Sequence, residues 1–455
     1  MVSVLVKNGL VLTSDSKNRI LAEGAVAVEK DKIVDVGPSK QLEKNYKADI
    51  VLDAAGKIVM PGLICSHNHM YNAITHGMPW KEAPNTFIGF LEDLWWPYIE
   101  DPLTKDEIYA SALQASVKMI KHGTTAFADV LEAPYSLPGS LEREAEAVRK
   151  AGARGVLSFE ASERVSIENA DLAVKENLEF VKKWNKLDDL VRGKFCTHTT
   201  FSCTEKLFTR VRELADKYGG GIHIHCEEGK DEQMFSHVMY RKTPAEFYEA
   251  IGFLGPDVLA SQCVYTTDRE IEVFKRHNVK ISHQPVSNSE IGSTVAPVTK
   301  YLKAGLSVGL GTDGSTYDIF EVMRFAFLLH KAHLQDLSVM SADEVFWMAT
   351  RGGAEAIGLG DKIGSLEAGK KADLLVMDLK PSTPLTPGNV MNQLVLLGSG
   401  YQVESVLVNG KIVMKDRKIL TVDEEETRRK AVEAAEDLWE VLKKDRKDLP
   451  KYRCG

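Results

Sequence analysis

The chain has 455 residues, with 57 Lys and Arg against 65 Asp and Glu, a formal charge of −8. Hydrophobic residues make up 44% and charged residues 27%, which excludes a disordered, collagenous or fibrous chain. The acidic balance argues against a nucleic-acid partner, and the lack of any apolar run of about 18 residues argues against a membrane span.

From the N-terminus, Val2, Val4 and Val6 alternate with Ser3, Leu5 and Lys7, with no basic head before an apolar run, so a signal peptide is not expected. Cysteines at 65, 196, 203, 226, 263 and 454 follow no stapling pattern and read as reduced thiols of a cytoplasmic protein. Short alternating runs at residues 2–6, 9–13, 24–28, 32–36 and 49–52 predict a β-unit. Residues 58–65, 124–130, 154–160, 194–198, 221–226, 258–264, 279–285 and 307–311 then read as eight strands, each leading toward helical sequence. Thr104 with Glu107, Thr243 with Glu246, Thr267 with Glu270 and Ser341 with Glu344 mark capped helix starts. Gly123 and Gly152 stand where helices end.

This alternation predicts an α/β fold with a (β/α)8 TIM barrel, a doubly wound open sheet being the alternative. Residues 372–377 and 403–411 return to the style of the N-terminus, so both termini together predict a small β-sandwich. The expected division is 1–58 and 365–423 for the sandwich, 59–364 for the barrel, and 424–455 for a C-terminal helix and tail. In that last segment Val432, Ala435, Leu438, Trp439 and Leu442 recur near helical spacing. The mixed polar face of this helix makes it a docking helix, not a membrane anchor.

His67 and His69 lie two residues apart at the end of the first strand, so they project to one face of an extended chain. His225 ends the fifth strand with Glu228 one turn later, and Asp313 follows the eighth. Three imidazoles and a carboxylate at one end of a barrel suit a divalent metal. Taken singly, His223 or His225 reads equally as a core histidine, and Asp313 before Gly314 as a turn residue. No lysine stands between 195 and 203 to bridge a second ion, so one metal is expected. His198 and His283 either line a substrate pocket or are structural strand-end residues. Trp80, Trp95 and Trp96, on a long loop, either wall an aromatic pocket or fill the core.

Met60-Pro61-Gly62 leading to His67-x-His69, His225-x-x-Glu228, Ser282-His283-x-Pro285-x-Ser287-Asn288 and Gly311-Thr312-Asp313-Gly314 resemble the amidohydrolase superfamily. The branch is that of the S-adenosylhomocysteine/methylthioadenosine deaminases and triazine hydrolases. Gly369-Lys370-Lys371-Ala372-Asp373 and Val408-Asn409-Gly410-Lys411 are similar to it too. The resemblance implies a barrel with a terminal β-sandwich, a homo-oligomer (dimer or tetramer), and one divalent ion, Zn²⁺ with Fe²⁺ or Mn²⁺ as alternatives. It matches His67, His69, His225 and Asp313 to the metal ligands and Glu228 to the carboxylate that protonates a ring nitrogen. Asp313 is the base toward the attacking water, and His198, with His283, Trp95 and Trp96, is assigned to substrate binding.

Gln262 stands where the family has a histidine. Its amide can orient water or an oxyanion but cannot shuttle a proton. The expected reaction is hydrolytic deamination of a small amino-substituted heterocycle (purine nucleoside, pterin or triazine) by metal-bound hydroxide. Hydrolysis of a carbon–halogen, urea, amide or thiocarbamate bond is the alternative, and a non-catalytic structural relative is the remote one.

Overall fold

The computed structural model describes residues 2–80, 84–187 and 189–443. Cys454 and the tail beyond Lys443 lie outside the described residues. Eight strands run parallel in sequence order: Leu63–Asn68, Thr124–Leu131, Arg154–Ala161, Phe195–Thr197, Ile222–Cys226, Val258–Gln262, Lys280–His283 and Val308–Leu310. The last returns to the first through a parallel bridge between Asn68 and Asp313, and the Asp313 N–H donates to the His67 carbonyl at 3.1 Å. The eight strands therefore form a barrel, as the alternation of strand and helix predicts. Thr124–Leu131 and Arg154–Ala161 are buried throughout their length, because a parallel strand is covered on both faces.

The connecting helices begin where the caps predict. Thr104 with Glu107, Thr243 with Glu246, Thr267 with Glu270 and Ser341 with Glu344 all form reciprocal capping boxes. Gly152 closes its helix in the left-handed conformation, φ +82°.

Residues 58–65 do not form one strand. Ile58–Pro61 pairs with Val2–Leu12 and, antiparallel, with Leu374–Met377, while Leu63–Asn68 opens the barrel. Gly62 sits at the changeover, where a β-carbon would lie 2.0 Å from the Thr125 hydroxyl oxygen. The two runs expected at 2–6 and 9–13 are likewise one strand, Val2–Leu12, whose partner changes from Ala48–Asp53 to Ile58–Pro61 along its length.

Both termini share one nine-stranded sheet, with Ile20–Glu29 and Lys32–Pro38 at one end and Val403–Val408, Lys411–Lys415 and Lys418–Ile419 at the other. Val4, Val26, Val28 and Ile33 from its first half meet Leu374 and Leu407 from its second, with Leu366 from the preceding loop, in a single core. Arg154, at the start of the third barrel strand, ties this sheet to the barrel through a two-pronged bond to Asp373 (2.8 and 3.0 Å), with both side chains buried.

Asp423 caps the helix Glu424–Trp439, which lies against the helix Lys105–Lys121. Its Trp439 indole N–H donates to the Ile74 carbonyl at 2.9 Å, in the turn Met70–Ile74 that follows His69. This is the docking role its spacing predicts.

Candidate metal centre and its cavity

His67 lies on the first barrel strand and His69 just beyond it, with one residue between them, so both rings face the barrel's C-terminal mouth. His225 comes from the fifth strand and Asp313 follows the eighth. Imidazole nitrogens of His67, His69 and His225 lie within 4.8 Å of one another. The Asp313 oxygens are each 3.7 Å from an Nε2, one from that of His67 and the other from that of His69. The outer nitrogens of His67 and His69 are hydrogen-bonded elsewhere, and that of His225 faces a carboxylate. His67 Nδ1 is 3.0 Å from His223 Nε2, His69 Nδ1 is 2.9 Å from the Val130 carbonyl, and His225 Nδ1 is 2.8 Å from a Glu160 oxygen. Three Nε2 atoms thus converge on one point, and the His67 Nε2 is buried without a hydrogen-bond partner. Such a donor set fits a divalent cation.

Burial disfavours the imidazolium form and holds His67 far below the ordinary histidine range, with His69 and His225 adding repulsion. Burial likewise lowers His69 and brings His225 down to about 4. Neutral imidazole is the ligand form, so the site is poised for metal at neutral pH.

The strand ends here carry backbone strain. Glu227, Gln262, Cys263 and Asp313 all have positive φ, between +47° and +74°. Residues held this way need surrounding support, and they cluster where a side chain must be aimed. The turn at Glu227 sends its own carboxylate to Gln233 and Thr266, while Glu228 lines the cavity. Gln262 donates its amide N–H to Asp313 at 2.6 Å, and its backbone N–H donates to the Gln284 side chain at 2.9 Å. The other Asp313 oxygen accepts from the Gly314 N–H at 2.6 Å. Both carboxylate oxygens are thus oriented toward the histidines by neutral donors.

The cavity above this centre measures about 850 Å³ and is lined by His69, His225, Asp313, Glu228, His198 and Trp95 among others. Of the sequence-predicted substrate residues, His198 and Trp95 therefore face it. Trp96 is buried beside the Arg164 guanidinium and packs edge-on to His198. His283 is buried 3.1 Å from His330 and does not line the cavity. Trp95 and Trp96 lie in the wide-turned helix Leu91–Glu100, not in a loop. Burial first, then the charge of Asp313, pushes the Glu228 carboxyl far above its usual range.

One wall holds residues that no motif marks. Glu100 and Glu132 line the cavity, and Glu132 touches both Glu100 and Glu160. Arg164 binds Glu100 at 2.8 Å and Asp101 at 2.9 Å. Burial and mutual repulsion push all three glutamates upward, and a proton on the central Glu132 relieves both repulsions at once. A signal was present in the sequence. Glu160 is the lone carboxylate of its barrel strand and sits at the C-terminal end, where barrel active sites are built.

Residues 58–413 match the amidohydrolase family. The chain belongs to that family. As an amidohydrolase it is a hydrolase of carbon–nitrogen bonds from a metal-dependent family, and its histidine cluster fits a metal site. Among its curated relatives, a 5'-deoxyadenosine deaminase of Methanobrevibacter smithii is 36% identical over 451 residues, covering 97% of this chain and 99% of its own. A 5-methylthioadenosine/S-adenosylhomocysteine deaminase of Thermococcus sibiricus is 37% identical over 419 residues, covering 90% and 94%. Among solved structures, a zinc-bound adenosine deaminase from Xanthomonas campestris superposes with a TM-score of 0.88 at 24% identity, covering 96% of this chain and 98% of its own. An atrazine chlorohydrolase from Arthrobacter aurescens does so with a TM-score of 0.85 at 24% identity, covering 95% and 100%. At those identities the structures speak for the fold. Among the described residues no helix is long and apolar enough to cross a membrane.

Proposed function

We propose that this amidohydrolase removes the exocyclic amino group of an adenosine-type nucleoside, releasing ammonia. The observation that carries the reading is the convergence of His67, His69, His225 and Asp313 at the floor of the cavity into which Glu228 faces. The relatives that act on 5'-deoxyadenosine, methylthioadenosine and S-adenosylhomocysteine cover nearly the whole chain and support the same substrate class.

The three histidines and Asp313 would hold one ion, zinc in this reading because of their nitrogen-rich donor set. When bound, a divalent ion supplies Lewis acidity and lowers the pKa of a coordinated water toward about 7. Asp313, oriented by Gln262 and Gly314, accepts the proton of the attacking water. Glu228, kept protonated by its surroundings, donates to the ring nitrogen beside the carbon under attack. That proton removes negative charge from the heterocycle; Asp313 then passes the water's proton to the exocyclic amine, which leaves as ammonia, and Glu228 takes up the proton of the new hydroxyl as the carbonyl forms. Trp95 offers an aromatic face to the base, and His198 a ring nitrogen on the same wall. Gln262 keeps an orienting role, donating to Asp313, where a histidine could also have carried charge. His283 supports the seventh strand end from outside the cavity.

The same reading places the enzyme in the cytoplasm as a homo-oligomer. Phe325 and Leu328 on one helix, with Leu396 and Leu397 on its neighbour, are exposed apolar side chains suited to subunit contact.

The test is ammonia release by zinc-loaded protein from adenosine, 5'-deoxyadenosine, methylthioadenosine and S-adenosylhomocysteine, set beside guanine, a pterin and aminotriazines. Ammonia from the adenosine derivatives is expected. Metal-replete protein that yields none, or that releases a halide or alcohol from a triazine instead, overturns the assignment and turns attention to Gln262.

A further inference from the structure

The three histidines of the metal centre are not held alike. His67 leans on a neutral imidazole and His69 on a backbone carbonyl. Only His225 has a carboxyl group at its Nδ1, the Glu160 oxygen 2.8 Å away. Glu160 comes from the third barrel strand, two strands from that of His225, and is 5% exposed. Its second oxygen is 3.9 Å from His198 Nδ1, which is already engaged with the Ser202 hydroxyl at 2.6 Å.

We propose that Glu160 is a positioning residue for the metal: its oxygen, 2.8 Å from His225 Nδ1 but off the line of a hydrogen bond, favours by its charge the tautomer with hydrogen on Nδ1 and so leaves Nε2 free for the ion. The inference rests on the metal reading of the site and goes beyond it in naming a residue that touches neither ion nor substrate. A carboxylate behind a ligating histidine orients the ring and raises its basicity. The alternative is coordination, since Glu160, His198 and His225 also lie close enough together to hold an ion. Geometry favours positioning. The Nε2 of His225 faces His69 Nε2 at 3.4 Å, on the side of the main centre, so Nδ1 is the ring's outward edge.

The experiment measures Zn²⁺ stoichiometry and affinity by competition with a chromophoric chelator, for wild type, Glu160→Gln and Glu160→Asp, with circular dichroism and metal-free melting as controls for folding. One ion per wild-type chain is expected, with affinity about 10–100-fold weaker in both variants. Aspartate retains the charge but not the reach, so it serves if the glutamine variant does not fold. Variants that fold and bind as tightly as wild type overturn this inference alone. A wild type that binds no ion overturns it together with the metal reading. Two ions in wild type and one in the variants overturn it by making Glu160 a ligand.

Discussion

Replacing Glu228 with glutamine keeps the shape of the cavity wall and removes a transferable proton. Turnover of an adenosine-type substrate should fall by about 10²–10⁴ while Zn²⁺ affinity is unchanged, as steady-state kinetics beside a chelator titration would reveal. Gln262→Leu acts differently. It strips Asp313 of its 2.6 Å donor, so metal affinity itself should drop about 10–100-fold. The depressed histidines also make a pH prediction. Between the ordinary value of 6.5 and about 4, the unfolded chain protonates His225 while the folded chain does not. Stability of the metal-free protein should therefore fall as pH is lowered through that window, readable as a declining urea midpoint. At this scale, His67-x-His69, His225 and Asp313 could be read from the sequence because strand ends place them together. Glu160 was marked only by its place at a strand end, and Glu132 and Arg164 by nothing, since a lone charge beyond a strand carries no spacing and acquires meaning only from neighbours brought by other strands.

Elements follow local chemistry where that chemistry is self-contained. The reciprocal caps at Thr104, Thr243, Thr267 and Ser341 need only residues three apart, so each helix start is legible in one dimension. Thr267→Ala should cost about 1 kcal/mol in chemical denaturation. The changeover at Gly62 is not legible in the same way. A continuous apolar run does not reveal that Ile58–Pro61 and Leu63–Asn68 hydrogen-bond into different sheets. Gly62→Ala would press a methyl group into Thr125 and should destabilise by about 1–3 kcal/mol, measured by thermal melting. The helical form of Leu91–Glu100 was hidden for a related reason, because Pro97 within it reads as a breaker.

In the whole molecule, barrel and terminal sheet meet across the buried Arg154–Asp373 pair. Arg154→Ala would strand a carboxylate without its partner and should cost about 3–5 kcal/mol in equilibrium unfolding, far more than a surface ion pair. The fold class was open to sequence reasoning because strand and helix alternate. That the terminal strands pair edge to edge into a single nine-stranded sheet was not, since the pairing of Ile58–Pro61 with Leu374–Met377 leaves no local pattern in either segment.

Closure of the barrel is a further matter. The eighth strand meets the first through the bridge at Asn68, aided by the Thr312 hydroxyl on Asn68 at 3.0 Å and its N–H on the Cys65 sulfur at 3.3 Å. That seam runs straight through the candidate ligands, with His67 and His69 on one lip and Asp313 on the other. A cation bound there would be a fastener as well as a reagent, joining the two margins of a rolled sheet as a stud joins the ends of a cuff. Chelation should consequently do more than silence the enzyme. It should lower the melting temperature and quicken amide exchange along both lips of the seam before the strands opposite.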